Sequence, residues 1–179
     1  MRIIAGKAKG LRLKRPGMRD LRPTSDLVRG AIFDILVSME ADCTRVLDLY
    51  AGSGALGIEA LSRGAHWCDF VEQDRAACAI IRENLTLAGF QEQGRVHCLS
   101  VEKALDRLEG PYNLVLVDPP YEDEGAVALV ERLVASPLVG PGSTLIVEHA
   151  WRRLPADRWG RFALVSRKRH GDTGVSVYQ

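Results

Sequence analysis

Short apolar runs alternate with stretches of helical period along most of this chain. Val46–Leu49, interrupted only by Asp48, lies in the run 45–51, and Leu114–Val117 closes the run 113–117. Neither run alternates with polar residues, so each reads as a strand covered on both faces, as in a parallel sheet. The runs 70–73, 95–99 and 143–148 also read as strands, and 162–169 with 175–178 form two terminal strands. Between them the spacing predicts helices. The first starts at Thr24 or Ser25 as its cap and runs to about Met39, with Val28, Ile32, Phe33, Ile35 and Leu36 on its apolar face. Others cover 58–63, 75–88 (closed near Gly89), 101–108 and 124–134. Repeated β-α units predict an α/β fold, a doubly wound and mostly parallel sheet. The segment Gly171-Asp-Thr-Gly174 predicts the turn of an antiparallel C-terminal hairpin. Alternation of Arg2-Ile-Ile and Leu11-Arg-Leu around Gly6 and Gly10 predicts a β-hairpin extension within residues 1–20. No repeat, linker or low-complexity tract divides residues 1–179, which are expected to form one domain.

Two of these runs end on chemistry. Asn113-Leu-Val-Leu-Val-Asp-Pro-Pro-Tyr121 closes a buried strand on a carboxylate, two prolines and an aromatic ring. Asp118 then falls at the carboxyl end of its strand, where open α/β sheets place ligands. Pro119 and Pro120 end the strand and stiffen the turn. An acceptor-rich, rigid corner with Tyr121 beside it suits a planar ring bearing an –NH2. The amino group donates to Asp118 and the Pro119 carbonyl while the ring stacks on Tyr121. Earlier in the chain, Gly52-Ser-Gly54-Ala-Leu-Gly57 follows a strand and opens a helix, the turn that lets backbone approach a nucleotide-like ligand. Asp48, inside that strand, can face a cationic amino group. Glu72 ends the next apolar run about 20 residues after Gly52, the separation of an acid that holds ribose hydroxyls.

The formal charge of +1 hides an asymmetry. Residues 1–30 carry nine lysines and arginines against two acids, and residues 151–179 carry seven against two, whereas the middle holds eight against nineteen. Basic residues gathered at both ends predict a phosphate-binding platform, with Arg12, Lys14, Arg167, Lys168 and Arg169 as candidate nucleic-acid contacts. At 179 residues and 46% hydrophobic, the chain is long enough for a substantial core. No window reaches the roughly 20 apolar residues of a membrane-spanning helix, and the basic N-terminus leads into no apolar signal segment. Cys43, Cys68, Cys78 and Cys98 lack C-x-x-C spacing and read as reduced core residues of a cytoplasmic protein without a metal.

Asp-Leu-Tyr-Ala-Gly-Ser-Gly-Ala-Leu-Gly, Val-Glu-Gln-Asp and Asp-Pro-Pro-Tyr, in that order, resemble the S-adenosylmethionine-dependent amino methyltransferases. Arg2-Ile-Ile-Ala-Gly-Lys, Gly10-Leu-Arg-Leu and Leu21-Arg-Pro-Thr-Ser-Asp-Leu-Val-Arg29 narrow the similarity to the RsmD family, bacterial 16S rRNA (guanine-N2)-methyltransferases. The resemblance runs to Gly171-Asp-Thr-Gly and Val177-Tyr178. Two positions depart from the family pattern: Gly30, usually glutamate, and Ser100, often acidic or an amide. The resemblance implies a seven-stranded Rossmann-like sheet, S-adenosylmethionine as cofactor with S-adenosylhomocysteine as product, and 16S rRNA within small-subunit particles as partner. It implies Asp48, Tyr50, Gly52, Ser53, Gly54, Glu72, Gln73, Ser100 and Val101 around the cofactor. Arg22, Thr24, Asp26 and Arg29 then face either the cofactor carboxylate or the RNA, and Asp118, Pro119 and Tyr121 perform the transfer. A monomer is expected. A DNA adenine-N6 methyltransferase shares the Asp-Pro-Pro-Tyr logic, but 179 residues leave little room for a base-reading domain. A nucleotide-dependent oxidoreductase gives that motif no task, and a non-catalytic RNA-binding module leaves Asp48, Glu72 and Asp118 unexplained.

Overall fold

In the computed structural model, which describes residues 1–15, 17, 25–120 and 125–179, the apolar runs join one mixed sheet. The elements are α1 (Asp26–Ser38), β1 (Arg45–Leu49), α2 (Ala55–Ser62), β2 (Trp67–Glu72), α3 (Arg75–Ala88), β3 (Gly94–Cys98) and α4 (Val101–Arg107). They continue with β4 (Tyr112–Val117), α5 (Ala126–Ala135), β5 (Val139–Ala150), β6 (Arg158–Trp159), β7 (Phe162–His170) and β8 (Thr173–Tyr178). The strand order is β3-β2-β1-β4-β5-β8-β7-β6. β1 to β5 are parallel, and β8 inserts antiparallel between β5 and β7. The eighth strand, beyond the seven expected, is the two-residue β6 pairing with Ala163 and Phe162. It is too short to leave an apolar run.

The pleat divides the core in two. Val46, Leu114, Leu116 and Ile146 face α1, α2 and α3 through Val28, Ile32, Ile58, Leu61, Ile81 and Leu85. Leu47, Leu49, Val115, Val117, Leu145 and Val147 face α4 and α5 through Val101, Leu105, Leu129 and Leu133. Helices on both faces explain why these strands show no polar alternation. Ser25 caps α1, its side chain accepting from the Val28 amide at 3.2 Å, while Asp74 caps α3 and Gly89 ends it at φ 75°. Thr24, the other candidate cap, lies outside the described residues.

The N-terminal extension differs from a regular hairpin. Among the described residues its ladder has one bridge, Arg2 to Arg12, flanked by the Ile3 amide to Leu11 and the Gly10 amide to Ile3. Side chains of α1, α2 and α3 supply further support. The buried Glu59 carboxylate accepts from the amides of Ile4 at 2.8 Å and Ala5 at 3.0 Å, and from the Arg63 guanidinium at 2.8 Å. Ser62 donates to the Ala5 carbonyl and accepts from the Ala8 amide. Gly6, at φ 81°, passes so close that a Cβ there would stand 1.8 Å from the Ser62 carbonyl oxygen. Burial of Ile3 and Leu13 in the α1–α3 core completes the attachment.

Two smaller expectations are corrected. The terminal turn is Gly171-Asp172 alone, because Thr173 and Gly174 already pair with β5 and β7. Gly174 is needed there for space, since a Cβ would stand 2.2 Å from the His149 ring. Cys68 and Cys78 are buried, but Cys98, at the end of an outer strand, is exposed.

At the amino edge of the sheet, Asp69 gathers three donors. His97 Nε2 lies at 2.7 Å, Trp67 Nε1 at 2.8 Å and the Tyr112 hydroxyl at 2.9 Å. Burial opposes the charge, but the bonds from His97, Trp67 and Tyr112 outweigh it and hold the carboxyl below its ordinary range. A depressed carboxyl stabilises the fold above about pH 4 and loses that contribution as the pH falls further. Asp69→Ala is therefore expected to lower unfolding stability by about 3 kcal/mol at pH 7, since bonds to a charged acceptor are lost and their donors stranded. The deficit should shrink in denaturant titrations repeated toward pH 3.

Candidate active site

The strand order reverses between β1 and β4, so the crevice of this sheet opens at their carboxyl ends. The turn after β1 lines it. Tyr50 (φ 60°), Gly52 (φ 55°) and Gly54 (φ 77°) all take left-handed backbone. For a bulky residue such as Tyr50 this costs on the order of 1–3 kcal/mol, a strain typical of ligand-binding turns. The Gly54 amide bonds to the Ala51 carbonyl at 2.7 Å, closing the turn, and Gly54 then starts α2. Gly57 serves packing, because a Cβ there would meet the Phe70 ring at 2.3 Å.

Two acids hold the turn from below. Glu72, ending β2, accepts from the Gly52 amide at 2.9 Å through one oxygen and from the Asp74 amide at 2.8 Å through the other. A carboxylate has about four lone-pair sites, so acceptor capacity remains beyond these bonds. Asp48 is only 1% exposed, and its Oδ2 accepts from the Gly57 amide at 2.9 Å. Burial is the main influence on it, opposed by the Gly57 bond and reinforced by the charges of Asp118 and Glu72, and its carboxyl is pushed up to about 7. The mutual influence places all three acids in one electrostatic neighbourhood at adjacent strand ends. Within the fold its contact is with the start of α2.

Asp118 follows β4 and is half-buried, Pro119 is buried and Pro120 exposed. Tyr121, Arg22 and Thr24 lie outside the described residues. On the other side of the crevice, Ser100 caps the start of α4 without a side-chain hydrogen bond, Val101 is buried beneath it, and Gln73 is exposed beyond Glu72. Ser53 joins this group through its backbone. Asn84 on α3, fully buried, donates to the Ser53 carbonyl at 2.9 Å and to the Lys14 carbonyl at 3.1 Å, and accepts from the Lys14 amide at 2.8 Å.

The expected ligand role of Arg29 is corrected by its position. Its guanidinium is completely buried, donating to the Arg2 carbonyl and to Asp26 at 2.9 Å, with Glu59 at 3.6 Å. Asp26 is the surface partner in that pair, its carboxyl held low chiefly by Arg29 against the effect of burial. Both residues join α1 to the N-terminal segment.

The family model described as "Conserved hypothetical protein 95" matches residues 1–179. The chain belongs to this family, the RsmD family. A Haemophilus influenzae relative named ribosomal RNA small subunit methyltransferase D is 32% identical over 189 residues, covering 100% of this chain and 93% of the relative. The Escherichia coli K12 protein of the same name is 42% identical over 125 residues, covering 68% and 60%. Among solved structures, Escherichia coli yhhF superposes with a TM-score of 0.88 at 32% identity, covering 100% of this chain and 97% of that one. The sheet is a Rossmann-like methyltransferase fold.

In this RsmD-family chain the basic segments stand in different settings. Arg12 is exposed, and Lys14, also exposed, pairs with Glu83 at 2.8 Å. Lys168 and Arg169 are exposed on β7, but the pleat sends them to opposite faces of the sheet. Arg167 is turned inward, bonded to Ser176 at 3.0 Å, the Pro155 carbonyl at 2.7 Å and Asp157 at 3.0 Å. Its place in the expected RNA platform is corrected: these bonds tie the loop before β6 to the sheet.

Three residues escaped the sequence reading. Asn84 and Glu59 act through backbone partners far away in sequence, which no local pattern reveals. Glu148 had a signal. It closes the apolar run of β5 as Glu72 closes that of β2, and because Val117 pairs with Val147, it stands level with Asp118. It is 4% exposed.

Proposed function

We propose that this chain transfers the methyl group of S-adenosylmethionine to the exocyclic N2 of a guanine in 16S rRNA of the small ribosomal subunit. The observation that carries the reading is the junction of the strained glycine turn, Glu72 and Asp118 at one strand-order reversal. The whole-chain family match and the relatives' names support RNA as the substrate. The site fits the cofactor: a turn with three left-handed residues admits close backbone approach, and Glu72 retains acceptor sites for a ribose diol. The bound cofactor supplies an activated methyl group on a sulfonium.

The chain's residues do the rest by placement. Glu72 accepts from the ribose hydroxyls while fixing Gly52. Gly52, Ser53 and Gly54 close on the methionine portion, with Tyr50 and Gln73 at the sides, and Ser100 and Val101 border the adenine. Asp48 positions the turn, and a cationic amino group above it would draw its carboxyl back toward the ionised form. A target base must leave its stack to reach such a corner, and Tyr121 stacks on it. Acceptors at Asp118 and the Pro119 carbonyl favour a pyramidal amino nitrogen whose lone pair faces the methyl, and the proton that the methylated nitrogen sheds leaves to solvent or through Asp118. Positioning of this kind is worth roughly 7–11 kcal/mol at best. Arg22 and Thr24 grip the methionine carboxylate or an RNA phosphate. The chain works as a single domain and a monomer in the cytoplasm.

Cofactor identity is tested by calorimetry with S-adenosylmethionine against NAD, and substrate class by methyl-transfer assays on small-subunit RNA against duplex DNA. The basic ends have their own test. Neutralising Arg12, Lys14, Lys168 and Arg169 together is expected to weaken RNA binding and to flatten log K against log salt by about 0.7–0.9 per lost phosphate contact. Arg167 is left in place because its bonds are internal. Parallel slopes with equal affinities would confine the RNA contact to residues nearer the crevice.

A further inference from the structure

Trp151 follows directly on β5, at the carboxyl edge where Asp118 stands. Glu148 is level with Asp118, so three residues of extended chain carry Trp151 about 10 Å further out along the strand direction. That is within reach of a nucleotide neighbouring one held at Asp118. The indole is partly exposed, and the Arg169 guanidinium lies over it, 5.4 Å from the ring centroid. Both partners are fixed at the backbone of the β7–β8 turn. The Trp151 amide donates to the Asp172 carbonyl at 2.8 Å, and Arg169 Nε donates to the Gly171 carbonyl at 2.8 Å. Among the described residues, the terminal nitrogens of Arg169 have no hydrogen-bond partner, and Arg152 beside Trp151 is exposed.

We propose that the Trp151–Arg169 stack is a nucleotide platform, on which a base flanking the methylated one stacks against the indole while its phosphate is held by Arg169. The proposal rests on the reading of this chain as an RNA methyltransferase and adds where the strand runs after the target. The occupant is single-stranded RNA. A planar ring beside a cation suits any base and a phosphate, whereas a duplex would keep its bases stacked on one another. An indole and a guanidinium already stacked lose little freedom on binding.

The test uses the full chain with a single-stranded RNA nonamer of mixed sequence and an abasic ribose-phosphate chain of equal length. Trp159 is buried and Trp67 is bonded to Asp69 at the opposite edge, so quenching lost in Trp151→Phe reports Trp151. The nonamer is expected to quench it and the abasic chain to leave it unchanged. Trp151→Leu should bind the nonamer about five- to a hundredfold more weakly, Trp151→Phe within a few-fold of wild type. Should Trp151→Leu not fold, the wild-type quench and the affinity of Arg169→Gln decide instead. Equal quenching by nonamer, abasic chain and polyglutamate would overturn the platform in favour of a general polyanion contact. Absence of quenching, with nonamer affinity unchanged in the variants, would leave the Arg169–Trp151 pair as a brace for the turn. Either result leaves the methyltransferase reading standing if the wild type still methylates ribosomal RNA; loss of that activity in the wild type removes the reading itself.

Discussion

Asp118→Ala is expected to cut the single-turnover rate of methyl transfer by orders of magnitude while cofactor affinity stays within a few-fold of wild type. Asp118 follows the central strand β4 at the reversal of strand order, and Pro119 and Pro120 leave its backbone little freedom. In the proposed arrangement Glu72, bonded to the Gly52 and Asp74 amides, takes the cofactor side of the crevice, and Asp118 is left to face the base. Asp118→Asn keeps one acceptor oxygen but adds donors toward the substrate –NH2, and should fall between wild type and alanine. Quench-flow with radiolabelled cofactor separates the chemical step from binding. Retention of more than about a tenth of the wild-type rate in the alanine variant, a loss under about 1.4 kcal/mol, would remove Asp118 from the chemistry.

Glu72→Ala should weaken S-adenosylmethionine binding by at least about 1.5–3 kcal/mol, the worth of hydrogen bonds to a charged acceptor. The geometry adds a second loss, because the same carboxylate orients the Gly52 amide at 2.9 Å and the Asp74 amide at 2.8 Å. Glu72→Gln tests this directly. An amide offers only one oxygen to two backbone donors and turns its –NH2 toward the other, so the conservative change should be nearly as damaging as alanine. Calorimetric titration of the three proteins is the measurement. Wild-type affinity in Glu72→Gln would show that neither the ribose nor the turn depends on the second oxygen.

Much of the architecture was legible because the parallel strands are buried on both faces and leave unbroken apolar runs. α3 matches its expected bounds, 75–88, since Asp74 and Gly89 mark its ends with local chemistry. β5 was read as 143–148 but extends over Val139–Ala150, because Gly140, Pro141 and Gly142 conceal its beginning. The glycine turn and the acids at Asp48, Glu72 and Asp118 were equally visible, since strand, turn and acid follow one another in sequence. Contacts made across long separations were not. Arg29, expected at the cofactor carboxylate or the RNA, and Arg167, expected at RNA phosphate, are internal, one beneath the N-terminal segment and the other against Ser176. Asp48 supports the Gly57 amide, a partner nine residues away that its strand pattern does not name. For the two arginines charge was read correctly and direction was not, because direction is set by packing that a local pattern does not encode.

The central claim, methylation of a guanine N2 in small-subunit RNA, is tested most directly by nucleoside mass spectrometry. Small-subunit particles from cells lacking this activity are incubated with the protein and S-adenosylmethionine, and the 16S rRNA is digested and mapped. The expected result is a stoichiometric gain of N2-methylguanosine at one position, absent when Asp118→Ala replaces the wild type. No methyl gain in the RNA, or a gain at adenine N6 in its place, would contradict it.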